Sequence, residues 1–319
     1  YDMRPQGHDI IRTWLFSTVT RAHHEHAVVP WTNAALSGWI LDPDRKKMSK
    51  SKGNVVTPMG LLEQYGTDAV RYWSSSARPG VDTTFSEEQM KVGRKLANKI
   101  LNVSKFVLGF GDGADGDVDL AAVDQPIDLA MLARIDAVIA EATAAFDAYD
   151  YARALERTEA TFWWFCDDYV ELVKNRAYET GAGLADPSNS AIQALRSALS
   201  TFQRLFAPFL PFATEEAWSW WHDASVHAAD WPTPTDLGGD ETLLDPVVDV
   251  LTLVRRAKSE AKVSQRAAVE RATVTATAAA ATALEAGRAD LLAAGTIGTL
   301  DVVRATDDGP VTCDVVLAS

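Results

Sequence analysis

The residues with the most evident chemical potential form a short basic segment, residues 45–52. Its eight positions hold five cations, namely Arg45, Lys46, Lys47, Lys50 and Lys52. Ser49 and Ser51 add two hydroxyls, and the segment is followed by Gly53 and Asn54, residue types that tolerate left-handed backbone. Because like charges repel, we expect a loop that is stable when solvated or when closed over several negative charges. A polyphosphate fits that charge best.

Composition alone leaves two other interpretations of this segment open, a solvated charge run and a basic address signal. A loop that binds an anion also needs an element to position it. Residues 33–41 are largely apolar and are expected to form one short strand. Such a strand would place the loop at the carboxyl edge of a parallel sheet, which is where these sheets bind ligands.

A second candidate site is Gly7-His8-Asp9, which precedes apolar residues at near-helical spacing in 10–16. The spacing places Asp9 at or near a helix N-terminus, where the simplest role is a cap. Farther along lie His23, His24 and His26. They have no further ligand at zinc spacing, so we expect a solvated corner there and no metal site in the chain.

Composition and charge narrow the class of protein. The 319 residues could hold two or three domains, and 47% of them are apolar. The net charge is −14, divided into +5 for residues 1–110 and −19 for residues 111–319. An anionic ligand should therefore bind in the first part, and the acidic total does not exclude RNA. The two cysteines, Cys166 and Cys313, show no paired spacing.

The same sequence predicts where the protein works and how its elements are arranged. No apolar run is long enough for a membrane span and no signal peptide is evident, so we expect a cytoplasmic protein. Helices are predicted at 58–65 and 67–77 around Gly66, from Ser86 to Phe110, and at 126–149, 151–179 and 187–207. Residues 111–124 are predicted to be an acidic linker. After residue 240 a helix, an alternating strand Val269–Ala276, an alanine-rich helix and two short strands are expected. The helix and the residues after it are predicted to carry a basic face that either touches RNA or is a solvated flank, formed by Arg255, Arg256, Lys258, Lys262 and Arg266.

The order of residues in the basic segment and its flanks resembles a known family. Lys47-Met48-Ser49-Lys50-Ser51 matches the KMSKS signature of class I aminoacyl-tRNA synthetases, and residues 37–43, 53–58 and 65–73 match the flanking pattern in order. The pattern resembles the valyl branch of that class. Residues 162–174 and 208–218 resemble the anticodon-binding bundle of the same branch.

The resemblance implies an α/β fold followed by mainly α structure. Residues 1–80 would be the C-terminal part of a Rossmann-like catalytic domain with the KMSKS loop and a connecting module. Residues 81–235 would be a helical anticodon-binding domain, and 236–319 a small α+β appendage. The HIGH motif of these enzymes is not found in the sequence. The chain would thus match only the C-terminal part of a synthetase, and we expect it to be inactive alone.

The resemblance also implies roles for individual residues. Lys47 and Lys50 would be catalytic, compensating the charge of the departing pyrophosphate. ATP would be bound by Gly7, His8, Asp9, Lys47, Met48, Ser49, Lys50 and Ser51, with Mg2+ alongside. The other expected partners are valine and tRNA(Val), for an enzyme that is monomeric at full length. Candidate tRNA contacts are Arg71, Lys174, Arg176 and Arg204. The alternatives are an isoleucine enzyme, a tRNA-binding module without chemistry, or another nucleotidyl-transferring enzyme.

Overall fold

The structure is a computed structural model that describes residues 2–110, 118–179, 186–305 and 309–318. Residues 111–117 of the predicted acidic linker lie outside this description. The chain divides into two compact units. Unit 1 comprises Tyr1–Ile100, Glu141–Arg157 and Phe206–Thr214, and unit 2 comprises Leu101–Ala140, Thr158–Leu205 and Glu215–Ser319.

The first hundred residues mix strands and helices. The elements in chain order are β1 Met3–Gly7, short helical turns His8–Ile10 and Ile11–Leu15, α1 Phe16–His26, β2 Asn33–Ser37, β3 Ile40–Leu41, a turn Lys50–Lys52, α2 Pro58–Tyr65, α3 Thr67–Ser75, β4 Thr83–Thr84 and α4 Glu87–Val107. Strand β1 pairs in parallel with β2, and β3 pairs in parallel with β4. The predicted helices 58–65 and 67–77 are confirmed, although α3 ends at Ser75, and Gly66 separates them with φ 88°.

The single strand predicted for residues 33–41 is wrong, because the structure has two short strands in different sheets. The break falls at Gly38, where a Cβ would lie 2.1 Å from the Val81 carbonyl oxygen. Only glycine allows the two backbones to approach this closely. The close approach ends β2, and the chain starts the separate pair β3–β4 two residues later.

The core of unit 1 lies between α2, α3 and the start of α4. Tyr65, Ala69, Trp73 and Met90 are buried together. Partly buried apolar residues pack around them, namely Leu61, Val70 and Phe85. Helix α4 begins after Ser86, whose hydroxyl accepts a hydrogen bond from the Gln89 amide at 3.3 Å, as expected for an N-terminal cap.

Long helices dominate the rest of the chain. They are α5 Pro126–Asp147, α6 Tyr151–Trp164, a π turn Phe165–Tyr169, α7 Val170–Tyr178, α8 Asp186–Phe206, α9 Pro211–Trp218 and α10 Leu244–Glu260. The predicted helical segments 126–149, 151–179 and 187–207 are thereby confirmed within one to two residues. In unit 2, Phe162 and Phe165 each pack against Phe202, with ring centroids 5.2 and 5.3 Å apart. Both are buried, and they form part of the core between α6, the π turn and α8.

The last eighty residues form a three-stranded sheet with helices against it. Strand β5 Val269–Ala276 has the predicted bounds, and it lies between β6 Ile297–Arg304, in parallel, and β7 Thr312–Leu317, in antiparallel pairing. The alanine-rich segment is two helices, α11 Ala278–Ala286 and α12 Arg288–Gly295, separated by Gly287. Across the described ranges, every helix is too short or too polar to cross a membrane.

Candidate functional site

The two sequence motifs that could bind a nucleotide meet at one edge of the β1–β2 sheet. Gly7 ends β1 and is paired in register with Ser37, which ends β2. The His8 imidazole Nδ1 lies 3.1 Å from the Ser37 carbonyl oxygen. Since both strands run in the same direction, the turn after β1 and the segment after β2 leave the sheet side by side, at the edge where parallel sheets bind ligands.

Asp9 is the centre of a small cluster at this edge. Its Oδ2 accepts a hydrogen bond of 2.8 Å from the Trp39 indole Nε1, and its Oδ1 lies 3.5 Å from the Lys47 ammonium. The ammonium also lies 3.7 Å from the centroid of the Trp39 ring. The Trp39 hydrogen bond chiefly, and the Lys47 charge in addition, lower the pKa of Asp9. Asp9 is in the first helical turn, as expected, but its carboxylate faces these two side chains.

The base of the basic loop is held by Asp42 and Asn54. The buried Asp42 carboxylate accepts hydrogen bonds from the Asn54 amide at 2.7 Å and from the Lys46 backbone amide at 2.7 Å. These bonds, the one from Asn54 above all, lower the pKa of Asp42. The Asn54 side-chain oxygen in turn accepts from the Ser49 amide at 2.9 Å. The Asn54 side chain therefore binds a residue that precedes the loop and a residue within it.

This arrangement differs from the prediction for Asn54, which was based on its tolerance of left-handed backbone. Gly53 takes that conformation, with φ 69°, and so does Arg45, with φ 61°. Asn54 contributes its side chain instead. The sequence could not reveal this role, because the partner carboxylate lies twelve residues earlier.

The remaining loop residues are more open. Lys50 begins the short turn Lys50–Lys52 and is exposed, while Met48 is half-buried. The hydroxyls of Ser49 and Ser51 lie 3.3 Å apart. The structure thus brings Lys47 to the Gly7-His8-Asp9 motif and leaves Lys50 at the solvent side of the loop.

Three of the four candidate tRNA contacts already bind other groups of the protein while keeping solvent exposure. Arg71 donates to the carbonyls of Pro208 and Phe209 at 2.8 and 3.2 Å. Lys174 forms a 2.6 Å ion pair with Glu171. Arg204 donates to the Ser200 carbonyl at 3.2 Å. These contacts hold the three side chains in place at the surface.

The geometry of the fourth candidate, Arg176, argues against the predicted phosphate contact. Its side chain is only 11% exposed and binds both Asp128 and Asp290. All five N–H groups are used: one pair donates to Asp128, one pair to Asp290, and the fifth donates to the Pro187 carbonyl. A phosphate would have no donor left to bind.

Sequence reasoning missed this buried ion-pair cluster, and no local pattern indicates it. Asp128 also accepts hydrogen bonds from the Tyr169 hydroxyl at 2.7 Å and the Ser190 hydroxyl at 2.6 Å. Burial raises the pKa of Asp290, although Arg176 partly opposes the shift. Burial likewise raises the pKa of Tyr169 well above its ordinary value. The cluster connects α5, α7, α8 and α12 within unit 2.

The predicted basic face after residue 250 also needs a correction. The sequence predicts that this face comprises Arg255, Arg256, Lys258, Lys262 and Arg266. Lys258 is 1% exposed, and its ammonium donates to the carbonyls of Gln265 and Gly295 at 3.0 and 2.8 Å. It therefore joins α10 to the following loop and to the end of α12 and does not belong to an exposed surface.

Within the described residues, histidines, cysteines and carboxylates do not form groups of three or more that could hold a metal ion. Both cysteines are free thiols, with Cys166 buried.

Comparison with known proteins identifies the class that this fold and site define. Residues 1–86 match the family described as tRNA synthetases class I (I, L, M and V), and residues 128–274 match the anticodon-binding domain of tRNA ligase. A solved LeuRS–tRNA–LeuAMS ternary complex from Agrobacterium radiobacter has the same fold over 74% of this chain and 29% of its own, with a TM-score of 0.57 and 20% identity. The chain carries class I tRNA synthetase catalytic and anticodon-binding domains.

Comparison with individual proteins shows which members of this class the chain is similar to. The valine–tRNA ligase of Thermobifida fusca is 57% identical over 99% of this chain and 36% of its own length. Those of Salinispora tropica and Leifsonia xyli are 51% and 54% identical, over 99% and 96% of this chain and 38% and 36% of their own. The chain is a homologue of valine–tRNA ligases along nearly its whole length, and it spans a little over a third of the length of these relatives.

Proposed function

We propose that the chain is part of a valine–tRNA ligase, which activates valine with ATP and transfers it to tRNA(Val). In that enzyme the chain would supply the loop that closes over the bound nucleotide and the part that binds tRNA. One observation carries the nucleotide part of the proposal. Asp9 and Lys47 are 38 residues apart in sequence, yet their charged groups lie 3.5 Å apart at the carboxyl edge of a parallel sheet. An acceptor for ribose hydroxyls and a donor for phosphates are thus adjacent.

The proposed reaction has two steps. The valine carboxylate attacks the α-phosphorus of ATP, a new P–O bond forms, and the bond to the departing pyrophosphate breaks. The valyl group then passes to a terminal ribose hydroxyl of the tRNA, and AMP leaves. Neither step needs a protein nucleophile, so catalysis consists of positioning and of compensating the charge on the leaving phosphates. Lys47 and Lys50 would supply the compensating charge.

The side chains at the sheet edge suit this substrate. Asp9 is half-exposed, and its lowered pKa keeps it ionised as an acceptor for ribose hydroxyls. A Cβ built on Gly7 meets nothing within 4 Å, so the backbone there borders open space that a ribose can enter. Magnesium, when bound, would offset negative charge on the phosphates, which together with water and one or two carboxylates are its usual ligands in nucleotide sites.

The Lys47–Asp9 ion pair must give way when a nucleotide binds. Both side chains are half-exposed, at 49% and 50%. An ion pair of that kind contributes about 0–1 kcal/mol. A triphosphate with several negative charges can therefore take the Lys47 ammonium from Asp9 and leave the carboxylate free for the ribose.

The other functions proposed for the chain depend on unit 2 and on homology. We propose that Lys174 and Arg204, with Arg71 of unit 1, contribute phosphate contacts to tRNA. The three-domain division at 1–80, 81–235 and 236–319, a monomeric full-length enzyme and a cytoplasmic location remain predictions. The relatives reported are valine–tRNA ligases, so the isoleucine alternative is not favoured.

A chimaera tests the catalytic proposal. This chain replaces the matching segment of the Thermobifida fusca ligase, and valine-dependent exchange of pyrophosphate into ATP is measured. Lys50→Ala should lower kcat by roughly a hundredfold or more, the loss typical of removing one donor that stabilises a developing negative charge. Lys47→Ala should also lower kcat. The 319-residue chain alone should show no exchange.

Lys46→Ala is the matched control, because Lys46 is an exposed lysine of the same loop that pairs with Asp44. It should keep kcat within about twofold, since an exposed pair contributes little. Exchange at the parental rate by the Lys47→Ala/Lys50→Ala double variant would refute the assigned charge compensation. A chimaera that binds tRNA(Val) but forms no adenylate would instead favour a binding module without chemistry.

A further inference from the structure

Trp39 has a position that neither the basic segment nor the Gly7-His8-Asp9 motif explains. It follows Gly38 in the short connection between β2 and β3. Its backbone amide donates to the Asp82 carboxylate at 2.8 Å, and its carbonyl accepts from the Thr83 amide at 2.8 Å. Both backbone groups are therefore bound, and the indole ring projects from a fixed point of the chain.

Each part of the ring has a separate partner at the candidate nucleotide site. The indole N–H donates to Asp9 Oδ2 at 2.8 Å. The ring carries the Lys47 ammonium at 3.7 Å from its centroid and lies against the His8 imidazole, with 4.8 Å between ring centroids. The ring is only half-buried, so packing into a core does not account for this set of contacts.

We propose that Trp39 is a positioning residue of the nucleotide site: its N–H orients the Asp9 carboxylate for the ribose, and its ring holds the Lys47 ammonium beside that carboxylate until a nucleotide binds. The inference rests on the proposed function. It adds a residue that is not in the KMSKS segment and touches neither the phosphates nor the reacting atoms.

The two contacts have different consequences for catalysis. A hydrogen bond from a fixed donor restricts rotation of the Asp9 carboxylate and leaves Oδ1 to accept from a ribose hydroxyl once Lys47 has moved. The contact of an ammonium with an aromatic face is attractive but weak at an exposed site. Lys47 is thus kept close to where the phosphates bind and is released at little cost.

The spectroscopic part of the test uses the 319-residue chain and two variants of one position. Trp39→Phe removes the N–H donor and keeps an aromatic face, whereas Trp39→Leu removes both. The indole Nε1–H NMR signal absent from both variants belongs to Trp39, and it should titrate with Asp9. In Trp39→Phe the pKa of Asp9 should rise, because its principal hydrogen bond is lost. The ε-methylene protons of Lys47 should show a ring-current shift that survives in Trp39→Phe and disappears in Trp39→Leu.

The kinetic part uses the chimaera. Trp39→Phe should raise the KM for ATP about fivefold, as expected for the loss of one hydrogen bond in the bound complex, with kcat within about twofold of the parent. Trp14→Phe is the control. Trp14 is another half-exposed tryptophan of unit 1 with a cation on its ring, Arg4 at 3.9 Å, but it stacks on Trp31. It should leave KM unchanged.

The outcomes separate this inference from the proposed function. An indole signal that does not respond to Asp9 titration, or a Lys47 shift that is the same in all three proteins, overturns the described contacts. A parental KM in Trp39→Phe, with an active parent, overturns the positioning role alone. If the parent chimaera itself forms no adenylate, the proposed function fails, and the nucleotide-dependent part of the inference fails with it.

Discussion

Removing the guanidinium of Arg176 should destabilise the protein far more than removing a cation from an exposed ion pair of similar length. Arg176→Met keeps a long apolar side chain and deletes five hydrogen bonds and two ion pairs. It leaves two carboxylates, Asp128 fully buried and Asp290 8% exposed, without their cation. Breaking a buried ion pair from one side destabilises a protein by about 3–5 kcal/mol, because an uncompensated charge remains.

The cost should also depend on pH. Burial already raises the pKa of Asp290 with Arg176 present, and the variant loses the one contact that opposes this shift. The folded variant then binds a proton at a pH where the unfolded chain, with an aspartate pKa near 3.9, does not. A folded state that binds more protons gains stability as pH falls. The variant should therefore recover part of the lost stability as the pH is lowered from neutrality toward the ordinary aspartate pKa near 3.9.

Urea unfolding followed by circular dichroism measures both effects. Arg256→Met is the control, because Arg256 makes an ion pair of the same kind, 2.8 Å from Glu260, with both side chains more than 60% exposed. That change should cost less than about 0.5 kcal/mol. A cost for Arg176→Met below about 1 kcal/mol, or one that grows as pH falls, would refute the account of the cluster.

Two further changes test how the loop and strands are positioned. Gly38→Ala should destabilise the chain by about 1–3 kcal/mol in the same unfolding assay, since its Cβ meets the Val81 backbone. Gly60→Ala, in α2 with nothing within 4 Å of its Cβ, should instead stabilise by roughly 0.5–1 kcal/mol; two changes of the same sign would contradict the geometry. Asn54→Ala should speed hydrogen exchange at the Ser49 amide, which loses its acceptor, while Asn102→Ala on the exposed side of α4 should not. Unchanged exchange at Ser49 would show that Asn54 does not hold the loop.

Elements set by local pattern could be predicted from the sequence. Strand β5 alternates between buried and more exposed positions from Arg271 to Ala276, and its bounds agree with the prediction. Helices α2 and α3 were separable because Pro58 opens the first and Gly66, with φ 88°, divides them. In each case a few neighbouring residues determine the backbone, so no distant contact was needed.

Features that depend on distant partners could not be predicted. The break at Gly38 requires Val81, 43 residues later, to approach its backbone. Arg176 and Lys258 look like surface cations in sequence, and both are buried because carboxylates or carbonyls from other elements surround them. A cation on a helix carries no local signal of whether such partners exist, which is why a phosphate contact and an exposed basic face were predicted there.

The structure also changes how the basic loop should be understood. Self-repulsion among its cations is reduced, because Lys46 pairs with Asp44 and Lys47 with Asp9. Asp42 and Asn54 bind each other across the base of the loop and so tether the residues between them on both sides. Lys50 lies in that part and pairs with no carboxylate among the described residues, so its charge is the least compensated of those assigned to catalysis. A polyanion gains more from an uncompensated cation than from one it must separate from a partner. Lys50→Ala should therefore lower kcat more than Lys47→Ala in the exchange assay.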